Sequence, residues 1–176
     1  YARALSDPAG FWAAAAEAIR WEKRWDKVLD DGNPPFYRWF RGGVLNTCHN
    51  AVDVHADSAR GDGIALIYDS PVTGRLDRFT WRELRDEVAL FAGALADAGV
   101  AKGDRVVIYM PMVPQAVVAM LACARLGAVH SVVFGGFSAQ SVADRVNDCQ
   151  AKVIITADGG FRRGTIVQLK KNVDQA

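Results

Sequence analysis

The segment RVVIYMPMVPQAVVAMLACARLGAVHSVVF, residues 105–134, decides the fold class of this chain. It begins with an apolar run of strand length and continues into residues 114–126, an apolar stretch long enough for a helix. Pro114 suits the first turn of that helix, and Gly127 suits its end. Residues 129–134 then predict a second strand. Because the helix is apolar nearly all round, we expect it to be fully buried.

The same alternation continues downstream. Ser138 can cap a helix that carries Val142 and Cys149 on one face, and residues 152–157 predict a third strand. Thr165 is the predicted start of a further helix. Strands that alternate with helices form parallel sheets through right-handed crossovers, and continuously apolar strands are covered on both faces. The predicted fold class is therefore α/β, a parallel sheet with flanking helices.

Upstream of the deciding segment, the sequence predicts a hairpin followed by a helix. Residues 64–68 have the composition of a strand, 71–74 that of a turn, and Phe79 closes a short return strand. Thr80 and Glu83 then have the spacing of a capping box, in which each side chain satisfies a free backbone N–H group. A helix is therefore expected to begin directly after the hairpin.

The beginning of the chain differs from the rest in composition. It holds four of the five tryptophans, Trp12, Trp21, Trp25 and Trp39. Asp7 followed by proline is a typical helix start, and the spacing of alanines and tryptophans predicts a helix that continues to Val28. We therefore divide the chain into 1–62, a mostly helical, Trp-rich lead-in segment that packs on the main body, and 63–176, an incomplete α/β subdomain.

Composition excludes several classes of function. Of the 176 residues, 51% are hydrophobic and 23% charged, with a formal net charge of +1. A net charge this small creates no strong electrostatic field that would attract nucleic acid. No apolar stretch approaches the ~20 residues of a membrane span. The three cysteines have no paired spacing, so we expect free, at least half-buried thiols in a reducing, cytoplasmic setting. The chain starts at Tyr1 rather than Met, which leaves a leader segment open.

Two loops follow predicted strands at the edge where parallel sheets bind ligands, residues 134–138 and 158–165. The second contains paired glycines, which let a backbone approach a ligand closely, and then Arg162 and Arg163, which are suited to phosphate. A helix beginning at Thr165 would add its positive end to the same place. These features predict a phosphate or nucleotide-tail site. A solvated loop with two surface arginines remains the alternative.

Other motifs are incomplete. Gly159 and Gly164 have P-loop spacing, but Thr165 stands where that motif requires lysine. The loop with Gly135 and Gly136 lacks the third glycine of the dinucleotide fingerprint. His130, within an apolar run, is expected to be a core histidine rather than a catalytic one. No catalytic triad, carboxylate pair or metal-ligand cluster is assigned.

Residues 102–114 and 117–138 are very similar to the acetyl/propionyl-CoA synthetase family of adenylate-forming enzymes, and 35–43 resemble the family's lead-in region. The resemblance covers nearly the whole chain. It implies the first part of a large N-terminal domain. It also implies a ligase that converts acetate or propionate, ATP and CoA to acyl-CoA through an acyl-adenylate, with release of pyrophosphate and AMP. Magnesium would accompany the ATP. The implied partners are small molecules, with no nucleic acid or membrane.

The resemblance assigns CoA contacts to Arg162, Arg163, Gly164 and Thr165, and it matches Gly136 to a glycine lining the pantetheine tunnel. Family members often have a second basic residue where Thr165 stands, which weakens the assignment there. The family's phosphate loop, acyl pocket and catalytic lysine lie downstream, so the ATP and Mg²⁺ sites are expected outside this chain. We therefore expect the chain alone to be inactive. The alternative is a non-catalytic CoA- or nucleotide-binding module.

Overall fold

The N-terminal unit, Tyr1–Asn50, contains two helices and one antiparallel hairpin in the computed structural model of residues 1–176. Its elements are α1 (Ala2–Ser6), α2 (Pro8–Ala16), β1 (Lys27–Asp30) and β2 (Arg38–Arg41). The predicted start of α2 is confirmed, since the Asp7 carboxylate accepts a hydrogen bond of 2.9 Å from the Gly10 N–H.

The predicted continuation of this helix to Val28 is wrong, because α2 ends at Ala16. The Trp21 indole donates a hydrogen bond of 2.9 Å to the Ala16 carbonyl, which satisfies an acceptor at the helix end. Trp21 also contacts Trp25 and Phe40, with ring centroids 4.9 and 5.4 Å away. The tryptophan spacing thus reflects a cluster of rings that meet edge to face or tilted, rather than a helix face.

The second unit, Ala51–Ala176, begins within a π-helical turn at His49–Asp53 and contains the remaining elements. They are α3 (Val54–Ala56), β3 (Ile64–Ser70), β4 (Arg75–Thr80), α4 (Trp81–Asp97), β5 (Arg105–Tyr109), α5 (Pro114–Leu126), β6 (Val129–Val132), α6 (Ala139–Cys149), β7 (Val153–Thr156), β8 (Gly160–Arg162), β9 (Thr165–Val167) and α7 (Leu169–Gln175). The division at residue 62, drawn from composition, stays a prediction.

The centre of this unit is a parallel sheet in the order β6-β5-β7, as the sequence predicts. All of β5 except Arg105 is fully buried. Alternate residues of a strand face opposite sides, and the side with Val107 and Tyr109 forms a core with Val133, Val142 and Leu169. This core ties the sheet to α6 and α7 at the edge where the two candidate loops emerge.

Local sequence signals determine where the two long helices beside the sheet, α4 and α5, begin or end. The capping box at Thr80 and Glu83 is formed in both directions, so α4 begins where predicted. α5 has the predicted bounds, and Gly127 ends it in the left-handed conformation with φ 71°. Full burial of α5 is not observed. Val118 and Cys123 are buried, whereas Gln115 on another side is exposed.

β6 is shorter and more exposed than its apolar sequence indicates. It lies at an edge of the sheet, and Val129 and Val132 are 56% and 57% exposed. His130 is also exposed, so the expectation that it is a core histidine is wrong. An edge strand has only one strand neighbour, which leaves its side chains less covered than those of β5.

Candidate ligand-binding site

The arginine-containing loop is an antiparallel hairpin, β8–β9. Arg163 and Gly164 form its two-residue turn with φ of 48° and 77°, the backbone of a type I′ turn. The Thr165 hydroxyl donates a hydrogen bond of 2.9 Å to the Arg162 carbonyl across this turn. The predicted helix start at Thr165 is therefore wrong, since α7 begins at Leu169. No helix N-terminus therefore adds positive charge at Thr165.

The paired glycines before the turn are explained by the chain's own packing rather than by approach of a ligand. A Cβ on Gly159 would lie 2.9 Å from Ile166 Cγ2 and from the Val167 carbonyl oxygen. A Cβ on Gly160 would lie 2.9 Å from Pro111 Cβ. Both distances are too short for a side chain, so these glycines let the hairpin close and lie against the residues that follow β5.

The second candidate loop, between β6 and α6, is held from the core. Tyr109, fully buried at the end of β5, donates a hydrogen bond of 2.7 Å from its hydroxyl to the Phe137 carbonyl. The Asn172 amide on α7 donates to the same hydroxyl at 3.1 Å. Ser138 caps α6 as predicted, accepting from the Ser141 N–H. One buried oxygen atom therefore joins β5, the loop and α7.

The two loops meet where Arg162 crosses Gly136. A Cβ on Gly136 would overlap the Arg162 guanidinium and would lie 3.0 Å from Phe134 Cε1. The guanidinium carbon lies 4.7 Å from the centroid of the Phe134 ring, within the range of a cation–π contact. The structure thus brings together two residues that the resemblance assigns to one ligand. It also gives Gly136 a local reason to lack a side chain.

Aromatic contacts extend this arrangement along the surface. The Phe134 and Phe137 rings meet edge to face, with centroids 5.7 Å apart and an interplanar angle of 82°. The Arg145 guanidinium lies 4.5 Å from the Phe137 centroid and donates to the Ser141 carbonyl. We name these four residues, Arg162, Phe134, Phe137 and Arg145, the arginine–phenylalanine ladder.

The site carries positive charge that no carboxylate neutralises. Arg162, Arg163 and Arg145 take part in no ion pair, although other arginines of the chain, such as Arg41 and Arg85, do. Arg163 is exposed at the hairpin tip, and Arg162 is half-buried. Unpaired guanidinium groups beside exposed rings can bind an anionic, flat or phosphate-bearing ligand.

The rest of the chain shows no reactive thiol at Cys123, no metal-binding cluster and no membrane-spanning helix. Cys123 is buried, which raises its thiol pKa to about 11 and leaves little thiolate for reaction. No group of three or more His, Cys, Asp or Glu side chains is arranged to hold a metal ion. None of the helices combines the length and the apolar character that crossing a membrane requires.

Sequence reasoning named Arg162 and Gly136 but missed the residues that position them. The phenylalanines on either side of the glycine pair were a visible signal for Phe134 and Phe137. Nothing local marks Arg145 or Tyr109, because their roles depend on tertiary contacts with the loop.

Comparison with known proteins identifies two consecutive family regions. The model described as acetyl-coenzyme A synthetase N-terminus matches residues 1–51, and the model described as AMP-binding enzyme matches residues 53–176.

Individual relatives agree over the whole chain. The chain is 51% identical over 176 residues to an acetyl-coenzyme A synthetase of Streptomyces avermitilis, and spans 27% of its length. It is 47% identical to the human protein named acyl-CoA synthetase short-chain family member 3, mitochondrial, and spans 26% of it. These matches confirm the resemblance to acetyl/propionyl-CoA synthetases.

The solved structure of acetoacetyl-CoA synthetase from Streptomyces lividans has 35% sequence identity and a TM-score of 0.89, with 98% of this chain and 27% of that chain covered. This match confirms the predicted α/β fold. The chain spans about a quarter of the length of the relatives it matches. Because the AMP-binding enzyme model covers residues 53–176, well over half of the sequence, this chain belongs to the family of AMP-binding enzymes.

Proposed function

We propose that the full-length protein carrying this chain is an ATP-dependent ligase that joins a short-chain carboxylate, acetate or propionate, to CoA. The carboxylate oxygen attacks the α-phosphorus of ATP, and pyrophosphate leaves. The CoA sulfur then attacks the carbonyl carbon of the acyl-adenylate, the C–O bond to AMP breaks, and the thiol proton passes to solvent. Mg²⁺ accompanies ATP, and both are held by segments outside this chain. The free cysteines favour a reducing compartment, and the cytoplasm is the location we propose.

The observation that carries the role of this chain in the proposal is the contact of Arg162 with Gly136 across two separate loops. Within the proposed reaction this chain supplies the outer part of the CoA path. Arg162 and Arg163 bind phosphate groups of CoA, and Gly164 allows the tight turn that presents them. Gly136 leaves room for the pantetheine arm. Thr165 contributes through the turn, where its hydroxyl already bonds to the Arg162 carbonyl.

Isothermal titration calorimetry with CoA tests the binding part of the proposal. Arg162→Ala should weaken binding by about 1.5–3 kcal/mol, roughly 12- to 150-fold, since a charge-assisted pair with phosphate is lost. Arg78→Ala is the matched control, because Arg78 is exposed on β4 outside the site and the charge change is the same. Equal CoA affinity of the two variants would show that the hairpin does not bind CoA.

Pyrophosphate exchange with acetate and with propionate tests the reaction itself. The full-length protein should exchange pyrophosphate into ATP in the presence of acetate, of propionate or of both. The 176-residue chain should not catalyse this exchange with either acid. If the full-length protein binds CoA but catalyses no exchange, the alternative of a non-catalytic CoA-binding module replaces the ligase.

A further inference from the structure

The position of the Arg162 side chain has a consequence for which ligands reach Gly136. Its guanidinium fills the space into which a side chain on Gly136 would extend. The same group lies 4.7 Å from the Phe134 ring centroid. Arg162 therefore covers the glycine while it is stacked on Phe134. We call this arrangement the Arg162 latch.

The Phe134 ring that holds the latch has contacts of its own. Phe137 meets it edge to face at 5.7 Å, and Arg145 covers Phe137 at 4.5 Å. The Tyr109 hydroxyl fixes the backbone of the same loop through the Phe137 carbonyl. The contact with Phe137 and the anchored loop backbone therefore support the Phe134 ring independently of Arg162.

Arg162 itself is free to leave. No carboxylate pairs with it, and it is only half-buried. A cation–π contact at an exposed site changes an equilibrium by only about two- to fivefold. A charge-assisted contact with phosphate changes it by roughly 12- to 150-fold. A phosphate group near the hairpin therefore outcompetes Phe134 for Arg162, whereas an uncharged ligand does not.

We propose that Arg162 contributes to thiol specificity, because its latch over Gly136 disfavours acceptors that carry no phosphate and opens for those that do. The inference rests on the proposed function, in which the thiol arm passes Gly136. CoA draws the guanidinium off Phe134 through its phosphates. Pantetheine has the same thiol arm but no phosphate, so it meets the closed latch. The second half-reaction is unchanged: a C–S bond forms, the C–O bond to AMP breaks, and the thiol proton goes to solvent.

The test compares CoA with pantetheine on the full-length protein, by calorimetric dissociation constants and by the rate of thioester formation. In Arg162→Ala the CoA dissociation constant should rise about 12- to 150-fold, while that of pantetheine falls about two- to fivefold. Phe134→Leu should lower both constants about two- to fivefold, because it releases the latch and leaves the phosphate contact intact. Phe161→Leu, an exposed phenylalanine on the same hairpin without a stacked arginine, is the matched control and should change neither.

The direction of the pantetheine change decides the outcome. Damage to the fold weakens both ligands together, whereas the latch predicts opposite changes in Arg162→Ala and a gain for both in Phe134→Leu. If pantetheine binds no more tightly in either variant than in the unmodified protein, the latch is refuted. Absence of pyrophosphate exchange in the unmodified protein would instead refute the proposed ligase, and is measured without any thiol.

Discussion

Replacement of Tyr109 by phenylalanine removes a single oxygen atom that joins three elements of the second unit. That hydroxyl donates to the Phe137 carbonyl at 2.7 Å and accepts from the Asn172 amide at 3.1 Å. The ring is fully buried, so it keeps its packing in the variant. The Phe137 carbonyl loses its partner, which costs about 1–3 kcal/mol, whereas half-buried Asn172 can turn in part to water.

Urea unfolding followed by circular dichroism at 222 nm measures this change, because α4, α5 and α6 all lie in the same unit as Tyr109. With a slope of about 1–3 kcal/mol per molar urea, the midpoint should fall by roughly 1 M. Tyr68→Phe is the control, since the Tyr68 hydroxyl makes no hydrogen bond within the chain. Equal midpoints for the two variants would show that the hydroxyl does not hold the loop.

Three further perturbations test other parts of the structure. Gly136→Leu in the full-length protein should preserve pyrophosphate exchange but abolish acyl-CoA formation, because the new side chain fills the thiol path; equal loss of both steps would indicate misfolding. Hydrogen bonds from the backbone N–H and hydroxyl of Thr80 lower the Glu83 pKa below its ordinary 4.5. The stability that these hydrogen bonds contribute is fully present above pH 4.5, the unfolded-state pKa, and is lost as the pH falls through the lower pKa of the folded state. Glu83→Gln should therefore reduce the decrease in unfolding free energy on the acid side of the pH–stability profile. A native thiol titration at about pH 8 should modify half-buried Cys149 first, because buried Cys123, with a pKa of about 11, is about 0.1% thiolate there; faster reaction of Cys123 would contradict its burial.

Helix boundaries that depend on local chemistry were predictable from the sequence. Pro114 and Gly127 bound α5 where expected, because proline has no N–H to lose in the first turn and glycine adopts positive φ without strain. Thr80 and Glu83 cap α4 for a similar reason, since the capping box involves only neighbours along the chain. Such signals need no knowledge of tertiary contacts.

Features that depend on tertiary contacts were not predictable in this way. Trp21 and Trp25 have helical spacing, yet their rings pack against Phe40 from a later hairpin. Arg163 adopts a φ of 48°, which is uncommon for a residue other than glycine, so the turn that displaces the helix from Thr165 was missed.

The loop pattern located a candidate phosphate site, and the resemblance then assigned its ligand and the role of Gly136. Arginines and glycines in two loops were compatible with a phosphate site or with a solvated surface. Their contact, with Arg162 lying across Gly136, depends on how α6 and β7 bring the loops together, and no spacing along the chain encodes it.

The position of β5 at the centre of the sheet also determines the order in which the sheet can assemble during synthesis. Both of its neighbours are made after it, and Thr156, the partner of Tyr109, lies 47 residues further on. At translation rates of about 5–20 residues per second, this largely buried strand is without its β7 partner for roughly 2–9 seconds. During that interval its apolar side chains are available to a ribosome-associated chaperone. Rare codons between β5 and β7 would lengthen this exposure.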